Sequence, residues 1–220
     1  MQNHQQLKKV ALIHLEDPGA INGILPISND LKKAGYHLDL IIDGKLKNSA
    51  NYNFSIFNIR DLDSINSVYK RYNFLLTGTS ENKKTNAFDL IKLFKSFKIP
   101  TFSFIDSSAN AQFRFSGYSK NYLEHAPDFI IVVDQESRSN FINFGFNKRN
   151  IFLTQNPYLE TIGLKSEKFL KLSSSQRKSQ LFGNKYKNHF VITFASELSS
   201  GLLNPEEYMK TKDYLLFSPA

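Results

Sequence analysis

The chain has no cysteine. A disulfide framework, a thiolate metal site and a cysteine nucleophile are therefore excluded. No apolar run approaches the roughly 18 residues needed to span a bilayer, and the N-terminus lacks the charged-then-apolar pattern of a signal peptide. The expectation is a soluble, cytoplasmic protein. Histidine is scarce: His4, His14, His37, His125 and His189 show no ligand spacing. No metal site is expected, and no cofactor. Repeats of 20–50 residues are missing, and the only low-complexity tract is a short "SSS".

Basic charge, by contrast, is in excess: 28 Lys and Arg against 20 Asp and Glu give a net charge of +8. Basic surfaces gather phosphates, so a nucleic-acid or anionic-membrane partner must be weighed. The lysines do not form one footprint. Lys8-Lys9, Lys32-Lys33, Lys83-Lys84, Lys92/Lys95/Lys98 and Lys185/Lys187 are spread over the whole chain. They read as solvated helix faces. No nucleic-acid partner is expected, and at most a weak peripheral attraction to an anionic bilayer at the inner face of the membrane.

A sizeable core is available, since 41% of the 220 residues are hydrophobic and Phe alone contributes 20. The length suits one large domain, or one domain and part of another. Periodicity repeats a single unit: a short apolar run rich in β-branched or aromatic residues, a polar loop, then a helical stretch. Strands are expected at Val10–Leu15, Leu38–Ile42, Phe54–Ile59, Phe74–Thr77, Thr101–Ile105, Phe129–Val133 and Ile151–Thr154. Helices are expected at about 19–34, about 61–71, Asn86–Phe97 and Ser137–Phe144. Runs apolar on both faces, such as "DFIIVVD", suit buried parallel strands. The fold class is α/β: a doubly wound, Rossmann-like parallel sheet, whose ligands bind beyond the carboxyl ends of its strands.

Residues 165–188 are polar and basic, and "HFVITFASE" after them reads as a new buried strand. The expected organisation is a Rossmann-like domain over 1–164, a polar linker over 165–188, and the beginning of a truncated second domain over 189–220.

Each expected strand ends in residues with chemistry to offer. In "LEDPGA", Asp17 suits a helix N-cap, Pro18 the first helical position, and Gly19 an uncrowded start. The same helix start offers free N–H groups to an anionic or hydroxyl-bearing ligand. Glu16 is not needed for the cap. "LLTGTS" closes a strand in Thr77, Gly78, Thr79 and Ser80, a hydroxyl-rich loop whose amides could hold a phosphate or sugar, although it lacks the Gly-Lys-Ser/Thr ending of a P-loop. Asp106 ends the next strand and opens a long loop that carries Arg114 and the aromatics Phe113, Phe115 and Tyr118. That loop either packs on the core, with Arg114 paired to a surface acid, or serves the site. Asp134 reads as a helix start, and Gln155-Asn156-Pro157 closes the last strand.

In their order and spacing, "EDPGAINGILPISNDLKKAGY", "LLTGTS", "KIPTFSFIDSSANAQFRF", "APDFIIVVDQESRSNFINFGF" and "IFLTQNPYLE" resemble the N-terminal half of two-domain GT-B type glycosyltransferases. The resemblance is closest to the bacterial glycosyltransferase-like proteins of surface-polysaccharide clusters, whose relatives include the UDP-N-acetylglucosamine 2-epimerases. It covers about residues 8–162, and "HFVITFASE" is similar to the first strand of the C-terminal half. It implies sugar transfer from a nucleotide-sugar donor to a glycan acceptor. The acceptor sits mainly on the N-terminal domain and the donor mainly on the C-terminal one. A separate donor domain or a homodimer would then complete the enzyme. Glu16 or Asp17, or else Asp106, would deprotonate the acceptor hydroxyl. Gly19, Thr77, Gly78, Thr79, Ser80 and Asn156 would bind substrate, and Arg114 would hold a phosphate or acidic acceptor. The alternatives are a nucleotide-sugar 2-epimerase-like enzyme, and a non-catalytic α/β module that binds a sugar or a partner chain.

Overall fold

The computed structural model describes residues 9–43, 55–57, 69–190 and 192. The chain divides into two compact units, Met1–Lys168 and Phe169–Ala220. The first is built on seven parallel strands: β1 (Val10–Leu15), β2 (His37–Ile42), β3 (Ser55–Phe57), β4 (Phe74–Thr77), β5 (Thr101–Ile105), β6 (Phe129–Val132) and β7 (Ile151–Leu153). They form one sheet in the order β3-β2-β1-β4-β5-β6-β7. The helices are α1 (Pro18–Lys33), α2 (Asn86–Ser96), α3 (Gln135–Asn143), α4 (Pro157–Leu170) and, in the second unit, α5 (Ser174–Phe182).

β1 shows why the sheet must be covered on both faces. All six of its residues are buried. Ala11, Ile13 and Leu15 point to the face where α1 lays Ala20, Ile21 and Ile24. Val10 and Leu12 point the opposite way, toward Leu90, Ile91 and Phe94 of α2. This is the period-2 alternation of a strand with a helix against each side. Each fully buried Leu or Ile contributes about 1.5–3 kcal/mol relative to exposure. A third cluster joins Ile130 and Val132 of β6 to Phe141 of α3 and to Phe115, from the long loop after β5.

α1 lies close to the sheet because small residues face it. A Cβ on Gly23 would stand 2.0 Å from the Phe104 ring of β5, and one on Gly78 would stand 2.2 Å from the Ala20 Cβ. Glycine at both points lets the first turns of α1 settle over the ends of β4 and β5. From β1 the chain runs outward through α1 to β2, and later returns to β4 on the other side of β1. The carboxyl ends of β1 and β4 are therefore the topological switch point, where loops part and leave a crevice.

The expected strand and helix pattern is present, with ends moved by one or two residues. β2 begins at His37, β6 stops at Val132 and β7 at Leu153. α3 begins at Gln135 because Asp134, rather than a later residue, caps it. Of the strand expected over Phe54–Ile59, the described part is Ser55–Phe57, and of the helix expected over 61–71 it is one 3-10 turn, Tyr69–Arg71. The rest of both lies outside the described residues. The stretch 165–188, expected as a linker, is largely helical. α4 runs on to Leu170, and α5 is closed at its start by a capping box of Ser173 and Gln176. In "HFVITFASE", His189, Phe190 and Ile192 stand outside any strand, and the other residues lie outside the described ones.

Candidate functional site

The first turn of α1 separates the roles of its two carboxylates. Asp17 has extended backbone, and its Oδ1 accepts a hydrogen bond of 2.8 Å from the Gly19 amide, with Pro18 at the first helical position. That is an N-cap. Glu16, half-buried, takes no part in it. Its Oε2 accepts from the Ser80 hydroxyl at 3.3 Å, and its Oε1 accepts from the Asn82 side-chain amide. Both donors are neutral. Glu16 is thus pinned across the switch point, from the end of β1 to the loop after β4, and keeps lone pairs for a further donor.

The Thr77–Ser80 loop is used mostly for building. Thr77 is fully buried and its hydroxyl pairs with that of Ser103 at 2.7 Å. The Gly78 amide donates to the His14 carbonyl at 2.9 Å, and the Thr79 hydroxyl donates to the Phe104 carbonyl at 3.1 Å. Of the four residues, Ser80 alone turns its side chain to a candidate catalytic group. The loop continues as a tight turn in which Asn82 N donates to Ser80 Oγ at 3.2 Å and Lys84 N to Asn82 Oδ1 at 3.0 Å. Asn82 was not singled out from the sequence. Its signal is a short polar side chain two residues past Ser80, the spacing of a self-bonded turn.

Asp106 lies over the start of α1. A Cβ on Gly19 would stand 2.0 Å from its Oδ2. Its Oδ1 faces the Arg114 guanidinium, with Nη2 at 3.5 Å. Arg114 is 7% exposed, and its Nη2 also donates to the Ala109 carbonyl at 3.2 Å. Asp106 Oδ1 and Arg114 Nε are both buried and find no hydrogen-bond partner among the described residues. The pair is an ion pair set into the wall of the crevice, so this carboxylate is already compensated by charge, whereas among the described residues that of Glu16 meets neutral donors alone. Arg114 pairs with Asp106, itself one of the candidate site carboxylates, rather than with the surface acid expected of a packed loop.

Farther along the strand ends, Asp134 Oδ1 accepts from Ser137 N at 2.6 Å and caps α3. Asn156 Oδ1 accepts from Tyr158 N at 3.0 Å at the start of α4. Asp106, Ser107, Asp134, Asn156 and Glu160 line an open cleft of about 640 Å3 beside the crevice. A larger hollow, of about 720 Å3, lies along α1 and α4 against Leu25, Pro26, Tyr158 and Leu164; Glu16, Asp17 and Asp106 do not line it.

Two polar clusters lie on the α2 side of the sheet. His14 is 1% exposed, and its Nε2 is 2.8 Å from Asp43 Oδ2, which also accepts from Asn86 Nδ2 at 3.0 Å. This histidine is a core residue. In β2, Asp39 is 1% exposed and accepts from Arg71 and, at 2.9 Å, from the Tyr72 hydroxyl. Burial, with the Asp39 charge second, pushes the Tyr72 phenol up to about 12. Among the described residues no three His, Asp or Glu side chains are grouped to hold a metal ion, and no helix is long and apolar enough to cross a membrane.

No protein-family model matches the sequence, and no curated protein matches it. Solved structures do. The chain is similar to the UDP-GlcNAc 2-epimerase of Methanocaldococcus jannaschii at 14% identity and a TM-score of 0.53, over 76% of this chain and 51% of that one. The UDP-N-acetylglucosamine 2-epimerase of Rickettsia bellii matches at 14% identity and a TM-score of 0.51, over 78% and 51%. The UDP-GlcNAc 2-epimerase of Neisseria meningitidis, solved bound to UDP-GlcNAc, matches at 12% and 0.53, over 79% and 54%. At these identities the likeness is one of fold, and it places the chain in the Rossmann-like α/β class. The chain spans about half the length of the structures it matches.

Proposed function

We propose that the chain is the acceptor-binding half of a GT-B type glycosyltransferase-like enzyme, with Glu16 as the general base. The observation that carries this reading is the Glu16 carboxylate, held at the switch point by two neutral donors and, among the described residues, by no cation. An acceptor hydroxyl placed against it would lose its proton to Glu16 as its oxygen bonds to the anomeric carbon of the donor sugar. The bond from that carbon to the phosphate oxygen breaks, and the nucleoside diphosphate leaves with the electron pair. Asp106, paired with Arg114, shapes the wall instead. Contacts to the nucleotide sugar are assigned to a donor-binding half, on this polypeptide, a separate one or a second copy.

A second reading is a nucleotide-sugar 2-epimerase-like enzyme, favoured by the similarity in fold to the three UDP-GlcNAc 2-epimerases. Calorimetric titration of the whole chain with tri-N-acetylchitotriose, maltotriose and UDP-GlcNAc tests sugar binding, and the absence of binding to all three overturns both readings. With a donor half supplied, the products separate the two. Transfer releases nucleoside diphosphate and lengthens a glycan, whereas epimerisation leaves the nucleotide sugar intact with hydrogen at C2 exchanged with solvent.

A further inference from the structure

The long loop after β5 is anchored in the core and yet displays an aromatic ring. Phe115 is 1% exposed and Ser116 is 5% exposed, and the chain then turns, with Ser119 N donating to the Ser116 carbonyl at 2.9 Å. Gly117 makes the turn possible at φ +56, where a Cβ would also stand 2.9 Å from His125 Nε2. His125 is tied to the same loop through its amide, 3.0 Å from the Phe115 carbonyl, and stacks on Phe88 at 4.2 Å. Tyr118, at the tip, is 71% exposed. The turn beneath it is packed, so the ring is held at a fixed place on the surface rather than on a loose loop.

Its position is tied to the loop that holds Glu16. Lys83 Nζ lies 5.7 Å from the centre of the Tyr118 ring, and Lys83 follows Asn82, which donates to Glu16. Asn110, on the Tyr118 loop, donates to Glu81 at 2.7 Å, a second tie between the two loops. Carboxylates and side-chain amides beside an exposed ring are complementary to a sugar. The polar groups suit its hydroxyls, and the flat ring suits the apolar C–H face of a pyranose. The rim carries both signs of charge, Lys83 over the ring and Glu16 and Glu81 on the neighbouring loop, so it is the apolar face of the ring, rather than net charge, that favours a neutral sugar over a diphosphate.

We propose that Tyr118 is a stacking platform for a pyranose ring of a neutral glycan. This rests on the sugar-binding reading above. The test is calorimetric titration of the whole chain, and of Tyr118→Ala and Tyr118→Phe, with tri-N-acetylchitotriose, maltotriose, UDP and UDP-GlcNAc. For whichever oligosaccharide the parent binds, Tyr118→Ala should weaken affinity about fivefold to tenfold, the size of one aromatic contact, while Tyr118→Phe stays within about twofold. Melting temperatures should be unchanged, since the ring is exposed. Equal oligosaccharide affinity for parent and Tyr118→Ala overturns the platform and leaves the sugar-binding reading standing. Loss in Tyr118→Phe as large as in Tyr118→Ala overturns it in favour of the hydroxyl, and a loss confined to UDP overturns it in favour of a nucleobase. A parent that binds none of the sugars overturns the reading and the platform together.

Discussion

Replacing Gly23 with alanine tests how α1 is seated over the sheet. In an exposed helix interior, Gly→Ala stabilises by about 1 kcal/mol. At Gly23 the new Cβ would stand 2.0, 2.5 and 2.9 Å from three carbons of the Phe104 ring. That ring is fully buried and makes up part of the core between α1 and β5. It is not the free end of a flexible chain, so either the ring leaves its rotamer or α1 rises off the sheet. Overpacking of this kind costs about 1–3 kcal/mol, and the shortest contact argues for the upper part of that range. Subtracting the helical gain leaves a net loss of about 1–2 kcal/mol, a fall in melting temperature of roughly 2–8 °C for a unit of this size. Thermal melts followed by circular dichroism measure it. Phe104→Leu, destabilising in the parent, should cost less in the Gly23→Ala background, because the shorter side chain makes room for the methyl group. A Gly23→Ala protein that melts at or above the parent temperature refutes this account of the helix seat.

Asp17→Ala should lower stability by about 0.5–2 kcal/mol and Asp17→Asn should restore most of it, measured by urea denaturation, because stability follows the capping oxygen. Tyr72 should ionise near pH 12, after the exposed tyrosines, as a late step in the absorbance titration that disappears in Tyr72→Phe. Its folded-state value is raised, so its contribution to stability is complete below about pH 10, the unfolded value, and is lost as the pH climbs through about 12.

The sheet was legible because its strands are buried on both faces. "VALIHL" and "DFIIVVD" are apolar runs too short for helices, bounded by loop residues, and only a parallel strand with helices above and below uses them in full. Caps were legible too, since Asp17 before Pro18 and Asp134 before Ser137 satisfy amides by local geometry that spacing alone reveals. Contacts between distant residues were not. Nothing in the local pattern tells that Arg114 folds back on Asp106, that Asn82 reaches Glu16, or that Thr77 and Thr79 spend their hydroxyls on β5. These pairings depend on which strand ends lie side by side, and the order of strands is set by crossovers that periodicity does not encode. Helix within the stretch 165–188 was not legible, because α4 has no buried residue to betray it and α5 is set by its capping box rather than by an apolar stripe.

The central claim is that the Glu16 charge serves a ligand while that of Asp17 serves the fold. Titration of Glu16→Gln and Asp17→Asn with tri-N-acetylchitotriose, maltotriose and UDP-GlcNAc, beside their melting curves, tests it most directly. For a ligand the parent binds, Glu16→Gln should melt within about 0.5 kcal/mol of the parent yet bind at least about tenfold more weakly, whereas Asp17→Asn should bind as the parent does. Parental affinity in Glu16→Gln would contradict the claim and leave "EDPG" as a strand-to-helix turn, with the site to be sought around Asp106 and Arg114.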